Sequence, residues 1–224
     1  MKRYFHHELE DLRKNIILMG ERTIDSVRLA VQALLAEDIP TAGQVIALDD
    51  EIDRLEVIID AECVRYITLR GPVASDVRLI TVAMKASHEL ERSGDEATSI
   101  AKRARKLAEG GKVDDYCHIP RMADLALELL RDAMDAFITE DVEKALLIPR
   151  RDKEIDDLNR DNYVRLTDRI SGNSNLTRPS IELIFISKSL ERVADHAASI
   201  AEEVVYLLRG EDVRHSPEFK RSAM

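Results

Sequence analysis

Apolar and small side chains recur along most of this chain at alternating spacings of three and four residues, the seam left by one helix packed on another. One such seam runs Ala83, Ser87, Leu90, Gly94, Ala97, Ala101, Ala104, Ala108. A hundred residues later it runs Leu183, Ser187, Leu190, Ala194, Ala197, Ala201, Val204, Leu208. A third stretch carries Val45, Leu48, Ile52, Leu55 and Ile59 in the same way. So many small residues imply close approach between helices. Breakers at Gly71-Pro72, Gly110-Gly111, Ser171 to Asn175 and Gly210 cut the pattern into helices of roughly 7 to 37, 40 to 69, 73 to 109, 118 to 140, 141 to 170 and 178 to 209. Pro40, Pro72, Pro120 and Pro179 fall near the first turn of a segment, where proline is tolerated. Short connections set neighbouring helices antiparallel.

The chain repeats itself. Leu90-Glu91-Arg92-Ser93-Gly94-Asp95 returns as Leu190-Glu191-Arg192-Val193-Ala194-Asp195, 100 residues on. Glu37-Asp38 matches Glu140-Asp141, and Asp49 to Asp53 matches Asp152 to Asp156, both 103 residues on. The difference of three falls in the loop at 70–72 or its counterpart at 171–175, where length changes belong. One structural unit built twice follows. The expected fold is all-α, six helices as two tandem pseudo-symmetric three-helix bundles, residues 1–111 and 112–224.

What recurs includes acids. Glu91 and Asp95 each follow a seam residue by one, as do Asp49 and Asp53. Acids four apart share a helical face. The two pairs centre on residues 51 and 93, about twenty residues or roughly 30 Å either side of the Gly71-Pro72 turn. They should therefore line one groove at one height. The second half places Asp152, Asp156, Glu191 and Asp195 in the same way about its own loop.

Four carboxylates in one groove repel, which raises their pKa values or calls for a counter-cation. All-oxygen donors select hard or borderline ions: iron, Mn, Mg, Ca or Zn. Packing alone does not require the acids to recur. Other acid pairs at the same spacing, Glu21/Asp25, Glu56/Asp60 and Asp157/Asp161, are read as solvated helix surface, and His6, His7 and His88 as surface residues. Arg92 and Arg192 also recur, either as ion-pair partners of neighbouring acids or as contacts for an anion or a partner.

Composition narrows the classes. With 34% charged residues, 4% aromatic and no Trp, the chain has the make-up of helical bundles. A formal net charge of −10 argues against nucleic-acid binding. No apolar run approaches the ~18 residues of a membrane span, and the charged start does not read as a signal segment. Cys63 and Cys117 make no metal-type spacing, and Cys63 reads as a small packing residue. No Glu-x-x-His motif, phosphate-cradling loop, nucleophile elbow or Cys/His dyad occurs, so the chain does not read as an enzyme and no catalytic residue is assigned.

These segments resemble the PhoU family. The family's acidic signature, Glu or Asp four residues before Asp, falls on Asp49/Asp53, Glu91/Asp95, Asp152/Asp156 and Glu191/Asp195. The likeness begins at Phe5, Glu8-Leu9, Leu12 and Met19-Gly20, continues through Cys63-Val64-Arg65 and Ser75-Asp76-x-Arg78, and ends at Gly210 to His215. The family's usual Ile-Gly is Ser93-Gly94 here and Val193-Ala194 in the second copy, changes that touch packing and leave the acids. The resemblance implies a cytoplasmic, homodimeric regulator of phosphate-starvation genes. Its partners would be the phosphate ABC transporter ATPase subunit and a phosphate sensor histidine kinase, through which alone it would meet the membrane. It also implies surface metal clusters. Two competing expectations stand beside it: a metal-dependent phosphoesterase using the same acids, and a purely structural adaptor.

Overall fold

The computed structural model describes residues 6–111 and 113–214. The family-like ends at Phe5 and His215, and the first five residues of the charged start, lie outside them. Six long helices account for the described chain: α1 His6–Ala36, α2 Ile39–Arg70, α3 Ala74–Gly110, α4 Ile119–Thr139, α5 Val142–Gly172 and α6 Thr177–Arg209, with one 3-10 turn, Ser174–Leu176, before α6. No strand occurs among the described residues.

The repeated Glu-Asp dipeptide has a local cause. Glu37 and Glu140 both adopt left-handed backbone, φ 55°, which turns the chain out of α1 and α4. The next residue caps the following helix. Asp38 accepts from the Thr41 amide at 3.2 Å, and Asp141 from the Lys144 amide at 3.0 Å. Each satisfies an amide that the first turn would otherwise leave orphaned. Helix α5 also runs through Pro149, which the sequence pattern does not mark as an interior breaker; the proline removes one helical donor without ending the helix.

Within the first half, α1, α2 and α3 pack on one another, and in the second half α4, α5 and α6 do the same. Neighbours run antiparallel: Asn15 donates to Glu62 and Arg22 to Glu51 between α1 and α2, while Arg121 pairs with Glu154 and Lys144 with Asp135 between α4 and α5. The seams are buried where the pattern put them, apart from Leu48, Ala108 and Leu208, which are half-buried.

The halves are also packed on each other through α3 against α6 and α1 against α4, and a single apolar core runs through both. Ion pairs fix the α3–α6 register. Lys85 meets Glu203 at 2.9 Å, His196 meets Glu89 at 2.7 Å, Arg192 meets Glu96 at 2.9 Å and Arg103 meets Glu182 at 2.6 Å. Rising numbers on α3 meet falling numbers on α6, so these helices too are antiparallel.

At the α2–α3 contact Gly94 faces Ile52 so closely that an added Cβ would lie 3.0 Å from Ile52 Cδ1. Gly94→Val should therefore push α2 away from α3 and cost about 1–3 kcal/mol. Urea unfolding followed by circular dichroism checks this; an unchanged midpoint would mean the two helices do not need that approach.

Candidate metal centre

The Ile52–Gly94 contact explains how two helices present four acids to one groove. Asp49 and Asp53 flank Ile52 on α2, and Glu91 and Asp95 flank the Gly94 region on α3. Burial pushes the Asp49 carboxyl up, and the charges of Asp53 and Asp95 push it further. Glu91 is pushed up to about 6, first by burial, then by Asp95, Glu56 and Asp53. Asp49 and Glu91 are half-buried, whereas Asp53 and Asp95 are exposed at the rim. Asp49 thus lies in the field of Asp53 and Asp95, and Glu91 in that of Asp95 and Asp53.

The second half is tighter. Asp152 is pushed up to about 7, by burial first and then by Asp195, Asp156 and Glu191. Asp195 rises through burial, Glu191 and Asp156, and Asp156 through burial and Glu191. Asp152 Oδ1 is buried without a hydrogen-bond partner. An orphaned buried acceptor costs about 1–3 kcal/mol, and a cation is one partner that would satisfy it. Starting at Asp156, one turn along α5, an open groove of about 520 Å³ between α5 and α6 is lined by Asp156, Asn159, Tyr163, Phe185, Lys188 and Glu191.

These donors suit a hard or borderline cation in chemistry, and the orphaned Asp152 oxygen gives it a place. The spacing is looser than a closed coordination shell. Among the described residues, the one group of three metal-type donors lying within 4.8 Å of one another is Glu56, His88 and Glu91. Glu56 is therefore not the solvated surface acid its spacing suggested: its side chain is 25% exposed and meets His88 Nδ1 at 3.3 Å. His88 is at the surface as expected, yet its ring also faces Glu91 at 3.9 Å. A search for acids four apart on one helix does not register a histidine three residues before Glu91 meeting an acid on another helix.

Elsewhere the bland readings of charged residues hold. Asp25 pairs with Arg28, Asp157 with Arg160, and Asp161 with His118 and Arg165. His7 is exposed and pairs with Glu10. Arg192 is an ion-pair residue, holding Glu96 of the other half; Arg92 has no ion-pair partner among the described residues. Cys63 is fully buried and its thiol is pushed up to about 12, chiefly by burial, so it is a packing residue and no nucleophile. The sequence pattern missed His196, which is buried against Glu89 across the two halves, and Asn162, which is buried and donates to Ser187 Oγ at 3.0 Å.

Compared with known proteins, residues 16–104 and 119–204 each match the PhoU domain. A protein of Pseudomonas putida named as a phosphate-specific transport system accessory protein PhoU homolog is 40% identical over 94% of this chain and 83% of its own length. The PhoU accessory protein of Escherichia coli strain K12 is 32% identical, covering 94% of this chain and 88% of itself. The crystal structure of PhoU from Pseudomonas aeruginosa superposes with a TM-score of 0.90 at 37% identity, over 92% of this chain and all of that one. The phosphate transport system regulatory protein PhoU from Streptococcus pneumoniae gives 0.82 at 29% identity, over 93% of this chain and 99% of its own.

Proposed function

The chain belongs to the PhoU family, and on that premise we propose that it is a regulator of phosphate uptake and phosphate-starvation signalling, acting on the ATPase subunit of a phosphate ABC transporter and on its sensor kinase. Its relatives are named accessory proteins of a phosphate-specific transport system, which is a regulatory and non-catalytic role. The observation that carries the proposal is the extent of that match: it covers nearly the whole chain and includes both repeats. We take the repeats as 1–111 and 112–224, and the working state as a cytoplasmic homodimer. No helix among the described residues is long and apolar enough to cross a membrane, in keeping with membrane contact through partners alone.

Metal enters the proposal through the two acid groups. Asp49, Asp53, Glu91 and Asp95 would hold one cluster, and Asp152, Asp156, Glu191 and Asp195 the other, with iron, Mn, Mg, Ca or Zn as candidates. Bound cations would offset carboxylate repulsion and so set the spacing of α2 against α3 and of α5 against α6. In the second half those helices carry exposed apolar residues that line the groove, Tyr163 and Phe185, through which metal occupancy would reach a partner.

The test is the double variant Glu91→Gln with Asp95→Asn. It should lose the metal of the first half, keep its helical circular dichroism, and derepress a phosphate-starvation promoter in high phosphate. Metal content that falls while reporter output stays unchanged would make the clusters incidental to regulation. Hydrolysis of a generic phosphoester with Mn²⁺, present in the parent and lost in the variant, would instead favour the phosphoesterase reading.

A further inference from the structure

The two grooves are built from the same repeat but differ at their outer ends. In the first half, Glu56 on α2 stands across from His88 and Glu91 on α3, with His88 Nδ1 at 3.3 Å from Glu56 Oε1 and 3.9 Å from Glu91 Oε2. The repeat places Asn159 where Glu56 stands and Lys188 where His88 stands. Lys188 is ion-paired with Glu191, and its ammonium also lowers the carboxyls of Asp156 and Asp195. In the second half a built-in cation therefore occupies the place that the imidazole takes in the first.

We propose that Glu56, His88 and Glu91 form a mixed nitrogen–oxygen site for one borderline first-row divalent cation, of the class of Zn²⁺ or Co²⁺, and that the second half lacks this site because Lys188 fills it. The inference deepens the cluster proposal and rests on it only through the shared carboxylate of Glu91. Metal–nitrogen and metal–oxygen bonds of ~2.0–2.2 Å in a tetrahedral shell put neighbouring donors roughly 3.3–3.5 Å apart. The His88–Glu56 separation already has that value. The His88–Glu91 separation must close by about half an ångström, a small rotation for a long glutamate side chain. Imidazole suits Zn²⁺, Co²⁺ and related ions, whereas all-carboxylate sites suit Mg²⁺, Ca²⁺ and Mn²⁺. The ring is 59% exposed, so water or a partner's side chain completes the shell from outside. The consequence is division of labour: the first groove distinguishes borderline from hard cations at its rim, and the second, already part-neutralised, does not.

The experiment titrates the metal-stripped full chain with Co²⁺ and, separately, with Mg²⁺. Binding is followed by calorimetry, and the histidine ring signals by NMR. Co²⁺ should broaden the ring signal that disappears in His88→Gln. That variant and Glu56→Gln should each weaken one Co²⁺ site at least tenfold and leave Mg²⁺ binding unchanged. The paired change Asn159→Glu with Lys188→His should add a Co²⁺ site of the same kind to the second half. Co²⁺ affinity and stoichiometry unchanged by His88→Gln, or a His88 ring signal untouched by Co²⁺, would overturn the inference. Asp49→Asn with Asp53→Asn separates it from the cluster proposal. Metal content unchanged by that pair, while His88→Gln still removes Co²⁺, sinks the first-half cluster and leaves the mixed site standing.

Discussion

Stripped of metal, Asp152→Asn should be more stable than the parent chain at pH 8, by about 2 kcal/mol or roughly 4–8 °C in melting temperature. The Asp152 carboxyl is pushed up to about 7 by burial and by Asp195, Asp156 and Glu191. In the unfolded chain the same group titrates near ~3.9. The folded state therefore holds its proton between those values, and the stability this gives is present at low pH and lost as pH rises through about 7. The whole shift corresponds to about 4 kcal/mol, and contact with solvent on the open side of the groove reduces this to roughly half. Asparagine keeps the shape of the neutral acid without its charge. The advantage of the variant should accordingly shrink as pH falls below 7 and close near 4. Metal should reverse the order, because an ion that binds only the folded parent stabilises it by mass action and the variant has lost a ligand. Melting curves from pH 4 to 8, with and without chelator, read all three statements. A metal-free variant less stable than the parent at pH 8 would show that the charge of Asp152 is held by something other than repelling carboxylates.

The same acids show how far the sequence reaches. The seam positions mark which face of α2, α3, α5 and α6 is inside. An acid one residue past a seam position must then sit at the groove edge, and equal distance from a turn sets equal height. That chain of inference needs only one helix and its hairpin partner, and it is the basis on which both groups of four are proposed. The packing of one half on the other needs more. Ser93, Val193 and Glu203 are buried in the structure, although none belongs to the seam within a half. Their burial comes from α3 lying against α6, and the periodicity of a single helix does not say which distant helix will cover its second face. On α3 itself, Val82, Ala86, Ser93 and Ile100 share one face at helical spacing, apart from the within-half seam, and all four are buried. Glu89 and His196 meet only across that interface, so no local spacing could have paired them. Glu56 and His88 escaped for a related reason, since their contact joins two helices and two residue types.

Seam and acids should separate cleanly in one last experiment. Ile52 and Ile155 are equivalent in the repeat, each lies between the two acids of its helix, and each is fully buried. Truncation to alanine removes buried methyl and methylene groups and leaves a cavity, at about 2–5 kcal/mol each. Because the two sites lie in different halves, with Ile52 set against Gly94 of its own half, the costs should add. The double variant would then lose about 4–10 kcal/mol, comparable with the whole stability of a typical domain, and should be largely unfolded without metal at 37 °C. The eight acids remain in place, so if they bind metal, each single variant should recover part of its loss when the ion is added, in proportion to the logarithm of free metal over Kd. Asp152→Asn should do the opposite on both counts, gaining stability when stripped and losing the response to metal in its half. Equilibrium unfolding of the two single isoleucine variants, the double variant and Asp152→Asn, each with and without metal, distinguishes the cases. Isoleucine variants that lose nothing would remove the α2–α3 and α5–α6 seams as the source of the fold. Isoleucine variants that are destabilised and gain nothing from metal would leave the seams standing, with the carboxylate groups not acting as metal sites.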